Sequence, residues 1–496
     1  MIFMNYPTVI MKKFIASTFL LLGVTSAVLA ERPQELLRTA ELPGEHTAEQ
    51  ILNADYWWPP SPPVDTSPVD ASGFVADAFG KAPEPGVHPR ILLSPEDLPA
   101  LRARIKSSES AKFWYHQLTY NQNKSIRQEG SFCHGLFKAL AAGDLQKSGD
   151  ILTGKIKLPM KQKYSHRHGF AYVLMSEAFD ALIREDEAKG KEVASAIATL
   201  SKIYKARLEA MDHGFKTGEQ KGVYETSDRF HGFRMSDDRV QFNGDVWRSG
   251  RRSAIDGEPW FAFMYDYAHK FMDEEQRKAC RETLNLYHFG RTTMGSHMPH
   301  HFRNWNWIAI GSGGLYLTAL ATEGEEGNDP RVIRHAREIL TDFVKYGWSD
   351  KGSSNEAIGY TQFGLRWGVP GFVAMARRGH QIWNWKRWRG SVDWYAHSSQ
   401  PNALNRPFDK AKRFISHGDG GQGGPSAFTM GAFKRFFPKD PVVDFVLQRS
   451  GRKPVVDEKG DFVEPKRGFY NSYPHMELLF CADASDTDYK DGEDLK

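Results

Sequence analysis

From Ser94 to Gly379, apolar residues return every three or four positions in one stretch after another, with no alternation of strands and helices between them. A chain with that single period must bury helical stripes against other helices. The series opens in "HPRILLSPEDLPALRARI": Ser94 is a good N-cap, Pro95 takes the first helical position, and Asp97 is placed to bond back to the cap. Leu98, Leu101 and Ile105 then follow at helical spacing. The same period runs through "YSHRHGFAYVLMSEAFDALIRE", "EVASAIATLSKIYKARLEAM", "EPWFAFMYDYAHKFM", "QRKACRETLNLYHFG", "NWIAIGSGGLYLTALA", "RVIRHAREILTDFVKYGW" and "YTQFGLRWGVPGFVAMARRG". Several of these are apolar on two faces and carry small residues, as at Gly311, Ser312, Gly313 and Gly314, which suits tight packing in concentric layers. The expected fold is mainly α: an α/α toroid over residues 86–425. No glycine-rich phosphate loop is present, which argues against a nucleotide-binding sheet.

The flanks differ. Lys12 and Lys13 precede the apolar run "FIASTFLLLGVTSAVLA", which ends in Val28-Leu29-Ala30 before polar Glu31-Arg32. Residues 1–30 therefore read as a signal peptide, with Met11 a natural start, and a periplasmic or secreted protein is expected. No other stretch is apolar for long enough to span a bilayer, so no integral membrane segment is expected after cleavage. Residues 31–85, with "YWWPPSPPVDTSPVD", read as a Pro-rich extended arm lying over the main domain, or as a partly flexible leader. Beyond the Gly-rich "GGQGGPSAFTM", residues 426–496 read as a linker and the first strands of a β domain, with Gly468 to Asp483 alternating aromatic and polar residues. Two or three strands cannot close a sandwich, so either a β domain is missing or a small sheet packs against the helical domain; the first is the expectation, with the 496 residues an incomplete form of a larger protein.

The formal charge of +4 falls to +2 once Lys12 and Lys13 leave with the signal, and nothing in that balance points to nucleic acid. Cys133, Cys280 and Cys481 allow at most one disulfide, and no two are spaced as metal ligands. Three clusters carry possible chemistry. "HMPHHFRNWNW" supplies His297, His300, His301, Arg303, Asn304, Trp305 and Asn306; Pro299 breaks any helix that would align its histidines on a metal. "SDKGSSNEAIGYTQFG" places Glu356 and Tyr360 four apart, on one face if both are helical. "FISHGDGGQGG" presents His417 and Asp419 on a glycine-rich loop. Around them, patches such as "WRSGRRS", with Trp247, interleave Arg and Trp, which suits an anionic, ring-bearing ligand.

A glycoside hydrolase needs two carboxylates flanking the bond, for which Asp350, Glu356 and Asp419 are available. A lyase acting on uronates needs another kit. Asn, His or Arg neutralises the carboxylate while a Tyr takes the weakly acidic C5 proton and returns one to the leaving oxygen. The residues supply that kit.

Together, "HPRILLSPEDLPALRARI", "DGEPWFAFMYDYAH", "NWNWIAIGSGGLYLTALA" and "DKGSSNEAIGYTQFG" resemble heparinase II/III-type polysaccharide lyases, relatives of toroidal alginate lyases and dermatan sulfate epimerases. The resemblance runs in order from His88 to Asp419. It implies an α/α toroid followed by an antiparallel β-sandwich, and an anionic, uronate-containing polysaccharide cleaved by β-elimination. It places Tyr360 on the catalytic tyrosine of the pattern Glu-x-x-x-Tyr, and the Asn/His pair that neutralises the carboxylate within "HHFRNWNW". Asn304 with His301 is the expected pair. Arg303, Asn306, Glu356, Trp305, His300 and Trp247 are the expected substrate-binding and positioning residues. In the relatives a His directly precedes the Asn-containing helix, where Phe302 or Arg303 stands here. Their second catalytic histidine lies in the sandwich, beside a structural metal in some members; here His417 is the candidate replacement. No cofactor or metal is expected in the helical domain. A hydrolase on the same toroid and a catalytically inactive carbohydrate-binding protein are the alternatives.

Overall fold

The computed structural model describes residues 52–53, 64–69, 73–152, 155–158, 165–217, 259–295, 306–399, 414, 424–450 and 474–481. The fold is mainly helical. Fifteen α-helices follow in order: α1 (Leu98–Ser107), α2 (Glu109–Asn123), α3 (Phe132–Ala141), α4 (Leu145–Leu152), α5 (Ser165–Arg184), α6 (Glu187–Thr217), α7 (Trp260–Ala268), α8 (Glu274–Gly295), α9 (Asn306–Leu320), α10 (Pro330–Gly347), α11 (Ile358–Ala376), α12 (Lys386–His397), α13 (Ala427–Phe436), α14 (Pro441–Ser450) and α15 (Pro474–Phe480). The capping signal at Ser94 works as its spacing predicts: the Asp97 carboxylate accepts the Ser94 backbone N–H at 2.7 Å, and a 3-10 turn over Pro95–Asp97 leads into α1.

The packing follows from which helices are apolar all round. Every residue of α7 is buried, as are sixteen in α11, whereas α10 buries a single stripe: Val332, His335, Ala336, Ile339, Leu340, Phe343, Val344 and Gly347. A helix without a polar face needs neighbours on all sides; a striped one belongs at the edge. The fully buried helices run parallel. In α5 and α7, Tyr172 meets Trp260 at 5.0 Å and Phe179 meets Tyr267 at 4.8 Å between ring centroids, so both advance together. In α9 and α11, Gly364 lies against Asn306 and Gly371 against Gly313. Glycine is required here: a Cβ on Gly313 would come 2.5 Å from the Trp367 carbonyl oxygen, and one on Gly364 2.9 Å from the Asn306 Cα. The small-residue run noted in the sequence is thus what lets two backbones meet. The returning helices also pair in parallel: Gln276 of α8 bonds Ser195 of α6 at 3.3 Å, and Thr283 bonds the Ser201 carbonyl at 3.0 Å.

Parallel helices bring like ends together, and the C-terminal ends are covered. Residues 79–97 cross them. Arg377, just past α11, donates to the Phe79 and Lys81 carbonyls and to Asp97 (2.7 Å to the last two). Glu323, just past α9, accepts from Arg90 at 2.5 Å and Arg378 at 2.8 Å. Gly324 turns with φ +82°, its site for a side chain filled by Pro85. Earlier in the arm, Val69 N–H bonds the Asn384 carbonyl at 2.6 Å and Val75 N–H that of Phe436 at 2.9 Å.

The C-terminal region corrects an expectation. Residues 426–496 read as a linker and strands, yet every described helix there packs into the helical body. Gln362 of α11 accepts the Ser426 N–H at 3.0 Å, at the start of α13. All seven residues of α15, "PHMELLF", are buried, and His475 bonds the Tyr267 hydroxyl at 2.6 Å. A segment buried on every face shows no helical period, so its apolar run is as compatible with a strand as with a helix until tertiary packing decides. Within the stretch read as alternating strand, Pro474–Phe480 is instead a buried helix. Among the described residues Cys133, Cys280 and Cys481 form no disulfide. Among the described residues no helix is long and apolar enough to cross a membrane.

Candidate functional site

Where the N-terminal ends of α9 and α11 pack together, a carboxylate from the turn before α11 reaches the start of α9. A helix start leaves backbone N–H groups without intrahelical partners and carries a partial positive charge. At α9 this is met from another segment: Glu356 Oε2 accepts the Asn306 backbone N–H at 2.7 Å, and its Oε1 accepts the Asn306 side-chain amide at 2.7 Å. Glu356 is held in turn. Its own N–H bonds Ser354 Oγ at 3.2 Å, which also receives the Thr361 hydroxyl at 2.6 Å, while Ser349 and Ser353 close the preceding turn. Burial raises the Glu356 carboxyl above its ordinary range, and the two bonds from Asn306 pull it partly back. Asn306 is 4% exposed, and its buried Oδ1 has no hydrogen-bond partner among the described residues. Tyr360, in the first turn of α11, is 37% exposed, unlike the core tyrosines Tyr265, Tyr267 and Tyr395.

Of the residues singled out in the sequence, the structure brings Asn306 and Glu356 into direct contact and leaves Tyr360 accessible on the adjoining turn. One local expectation is corrected. Glu356 does not share a helix face with Tyr360, because α11 begins at Ile358 and Glu356 belongs to the turn before it. The carboxylate is drawn out of the helix by its bonds to the start of α9. Asp350, a candidate for a carboxylate pair, is ion-paired with Arg387 at an exposed site. Trp247, His297, His300, His301, Arg303, Asn304, Trp305, His417 and Asp419 lie outside the described residues.

A second polar cluster, at the opposite end of α9, was not singled out from the sequence. His88 Nδ1 lies 2.7 Å from Asp266 Oδ1, and its Nε2 lies 2.6 Å from Glu325 Oε1. Asp266 also accepts the backbone N–H groups of Arg90 (2.8 Å) and Ile91 (3.1 Å). Tyr265 donates to Glu325 Oε2 at 2.5 Å, and the Arg281 guanidinium stands 3.8 Å away. Burial opposes a charge on His88, yet the hydrogen bonds and charges of Asp266 and Glu325 outweigh it and raise its pKa. His269 stacks on it with centroids 3.9 Å apart. Burial pushes His269 down to about 2, helped by the charges of His88, Arg277 and Arg281, and it is neutral. A signal was available: Asp266 interrupts the wholly apolar "WFAFMYDYA", and a carboxylate in a helix buried all round must have partners.

No protein-family model matches this chain, and none of the curated proteins matches it.

Proposed function

We propose that this chain is an exported polysaccharide lyase that cleaves a uronate-containing anionic polysaccharide by β-elimination, on an α/α toroid whose active end is formed by the N-termini of α9 and α11. The observation that carries the reading is the Glu356–Asn306 clamp beside an exposed Tyr360. Parallel buried helices with returning partners agree with a toroid, and the four motifs of the resemblance pair off in space. The first meets the second through His88 and Asp266, and the third meets the fourth through Asn306 and Glu356.

In this mechanism Asn304, with His301, binds the uronate carboxylate and stabilises the negative charge that grows on it as the C5–H bond breaks. Tyr360 enters the step as its phenolate and takes the C5 proton on its oxygen; the C4–O bond breaks as the C4–C5 double bond forms, and the same proton passes from Tyr360 to the leaving oxygen. Glu356 and Asn306 fix where the segment carrying Asn304 enters α9. Arg303, His300, Trp305 and Trp247 grip the polymer through charge and stacking, and His417 serves as the second histidine. No metal or cofactor enters these steps.

The test is a screen of heparin-like, chondroitin-like, alginate and ulvan polymers for the ultraviolet absorbance of unsaturated uronides. A lyase creates that chromophore on at least one of them. A hydrolase releases only new reducing ends and a binding protein releases neither, and either outcome overturns the proposal. In the active case Asn304→Ala should lower kcat more than it raises KM, because the carboxylate's charge grows in the transition state.

A further inference from the structure

At the C-terminal end of α9, away from the proposed catalytic groups, we propose that His88, His269 and Glu325 are the ligands of a zinc-type divalent metal site that ties the segment 79–91 to the ends of α7 and α9. Each residue offers one donor atom, and the three atoms lie within 4.8 Å of one another. Ligands around a four-coordinate zinc stand roughly 3–3.5 Å apart, given Zn–N and Zn–O bonds of about 2.0–2.2 Å. His88 Nε2 and Glu325 Oε1, at 2.6 Å, are already neighbours, and the ion takes the place of the proton they share.

The surroundings are those of a built site. A metal-bound imidazole ordinarily gives its other N–H to a carboxylate, which fixes the ring. His88 Nδ1 has that partner in Asp266, itself anchored by two backbone N–H groups, those of Arg90 and Ile91. Glu325 is oriented in the same way by the Tyr265 hydroxyl on its second oxygen. Charge also favours a cation here. Two carboxylates, Asp266 and Glu325, face the His88 ring from either side, with Arg281 outside the ligand set. The C-terminal ends of α7 and α9 both lie here and add partial negative charge. One movement is needed. The rings of His88 and His269 are stacked within 16° of parallel, and two such rings cannot aim in-plane lone pairs at a common point. His269 must therefore turn about its Cβ–Cγ bond out of the stack.

The test uses the untagged full chain, stripped with a chelator and titrated calorimetrically with Zn2+, then with Co2+ to read coordination from its visible spectrum. The chain holds 18 histidines, so the decisive quantity is the difference between wild type and His269→Phe, which keeps a ring on His88 and removes a ligand. The expected result is one equivalent of zinc in the wild type and a rise in its unfolding temperature. In His269→Phe that equivalent should bind at least tenfold more weakly, with the metal-free unfolding temperature preserved. Should His269→Phe fail to fold, Glu325→Gln, which retains hydrogen-bonding capacity toward Tyr265 and His88, must lose the same equivalent. Absence of stoichiometric uptake by the wild type, or undiminished uptake by the folded variant, overturns the site.

Discussion

The two ends of α9 are about 22 Å apart along one 15-residue helix, and they treat polar groups in opposite ways. At the C-terminal end the donors and acceptors close on one another: both nitrogens of His88 face carboxylates, Asp266 takes three bonds, and Glu325 takes two. At the N-terminal end the chain leaves groups over. The Asn306 side-chain oxygen Oδ1 is without a partner among the described residues, Glu356 is held above its ordinary pKa by burial, and Tyr360 faces outward. A closed network rigidifies; an end with unspent hydrogen-bonding capacity is where a ligand adds something. The same helix is thus fastened at one end and furnished for chemistry at the other, and substitutions at the two ends should separate stability from turnover.

The largest effect is expected at the fastened end. Asp266→Ala leaves His88 Nδ1 and the N–H groups of Arg90 and Ile91 facing a cavity. Breaking a buried ion pair in this way costs about 3–5 kcal/mol. Denaturant unfolding should show that loss, while turnover per folded molecule stays near wild type. A midpoint that does not move would mean that residues 79–91 are held elsewhere, and the contrast between the ends would fail.

Next comes Tyr360→Phe at the other end. Removal of one exposed oxygen should change stability by no more than about 0.5 kcal/mol, as for other surface positions. If Tyr360 transfers the proton, turnover should drop about a hundredfold or more with binding retained. Near-normal elimination by this variant would take Tyr360 out of the mechanism. Unfolding would instead make its hydroxyl structural and erase the difference between the ends.

What the sequence discloses follows the same divide. The helices could be read from their period, and the start at Ser94 from its cap, because both signals are local. The tight α9–α11 approach was foreshadowed by Gly311 to Gly314 and by the glycines of "GYTQFGLRWGVPG", since close backbones need residues without side chains. Asn306, Glu356 and Tyr360 drew notice because polar residues stood at the start of apolar helices. The partner of each was not legible: nothing local says that Glu356 leaves the face of α11 to cap α9, 50 residues earlier in the chain. The His88 cluster joins residues 178 and 237 positions apart, and no local rule reaches that far. For α15 the failure has another cause. "PHMELLF" is buried on every face, so it carries no period, and its helix is imposed by Tyr267, Phe179 and Phe263 packed around His475.

A smaller effect is expected at Gly364. An alanine there places a methyl 2.9 Å from the Asn306 Cα and 3.1 Å from its carbonyl oxygen, so the helices must part at their N-terminal ends. Overpacking of this kind costs about 1–3 kcal/mol. Because the displaced residue is the one that Glu356 clamps, turnover should fall by more than stability alone explains, read as kcat measured well below the unfolding temperature. Gly313→Ala is the control: it meets the Trp367 carbonyl oxygen halfway along α9, so its damage should appear in stability first.

Glu356→Gln should have the smallest effect, and it discriminates best. A glutamine can still accept one of the two bonds from Asn306, but its amide then faces the other donor, and the negative charge at the start of α9 is lost. The sum of these is about 1–2 kcal/mol at most. Opposing it is the relief of burying a charge. A carboxyl whose folded pKa is raised makes the native state bind more protons than the unfolded one, so its contribution to stability falls as pH rises from the unfolded value of 4.5 through the higher folded value. The stability of the wild type relative to Glu356→Gln should therefore fall as pH rises above 4.5. The same variant separates the two enzymatic readings. If Glu356 only positions Asn306, kcat should drop no more than about tenfold, equivalent to about 1.4 kcal/mol. Were Glu356 instead the acid or nucleophile of a hydrolase, removing its ionisable group would abolish turnover, and the N-terminal end of α9 would be catalytic through the residue assigned here to hold it in place.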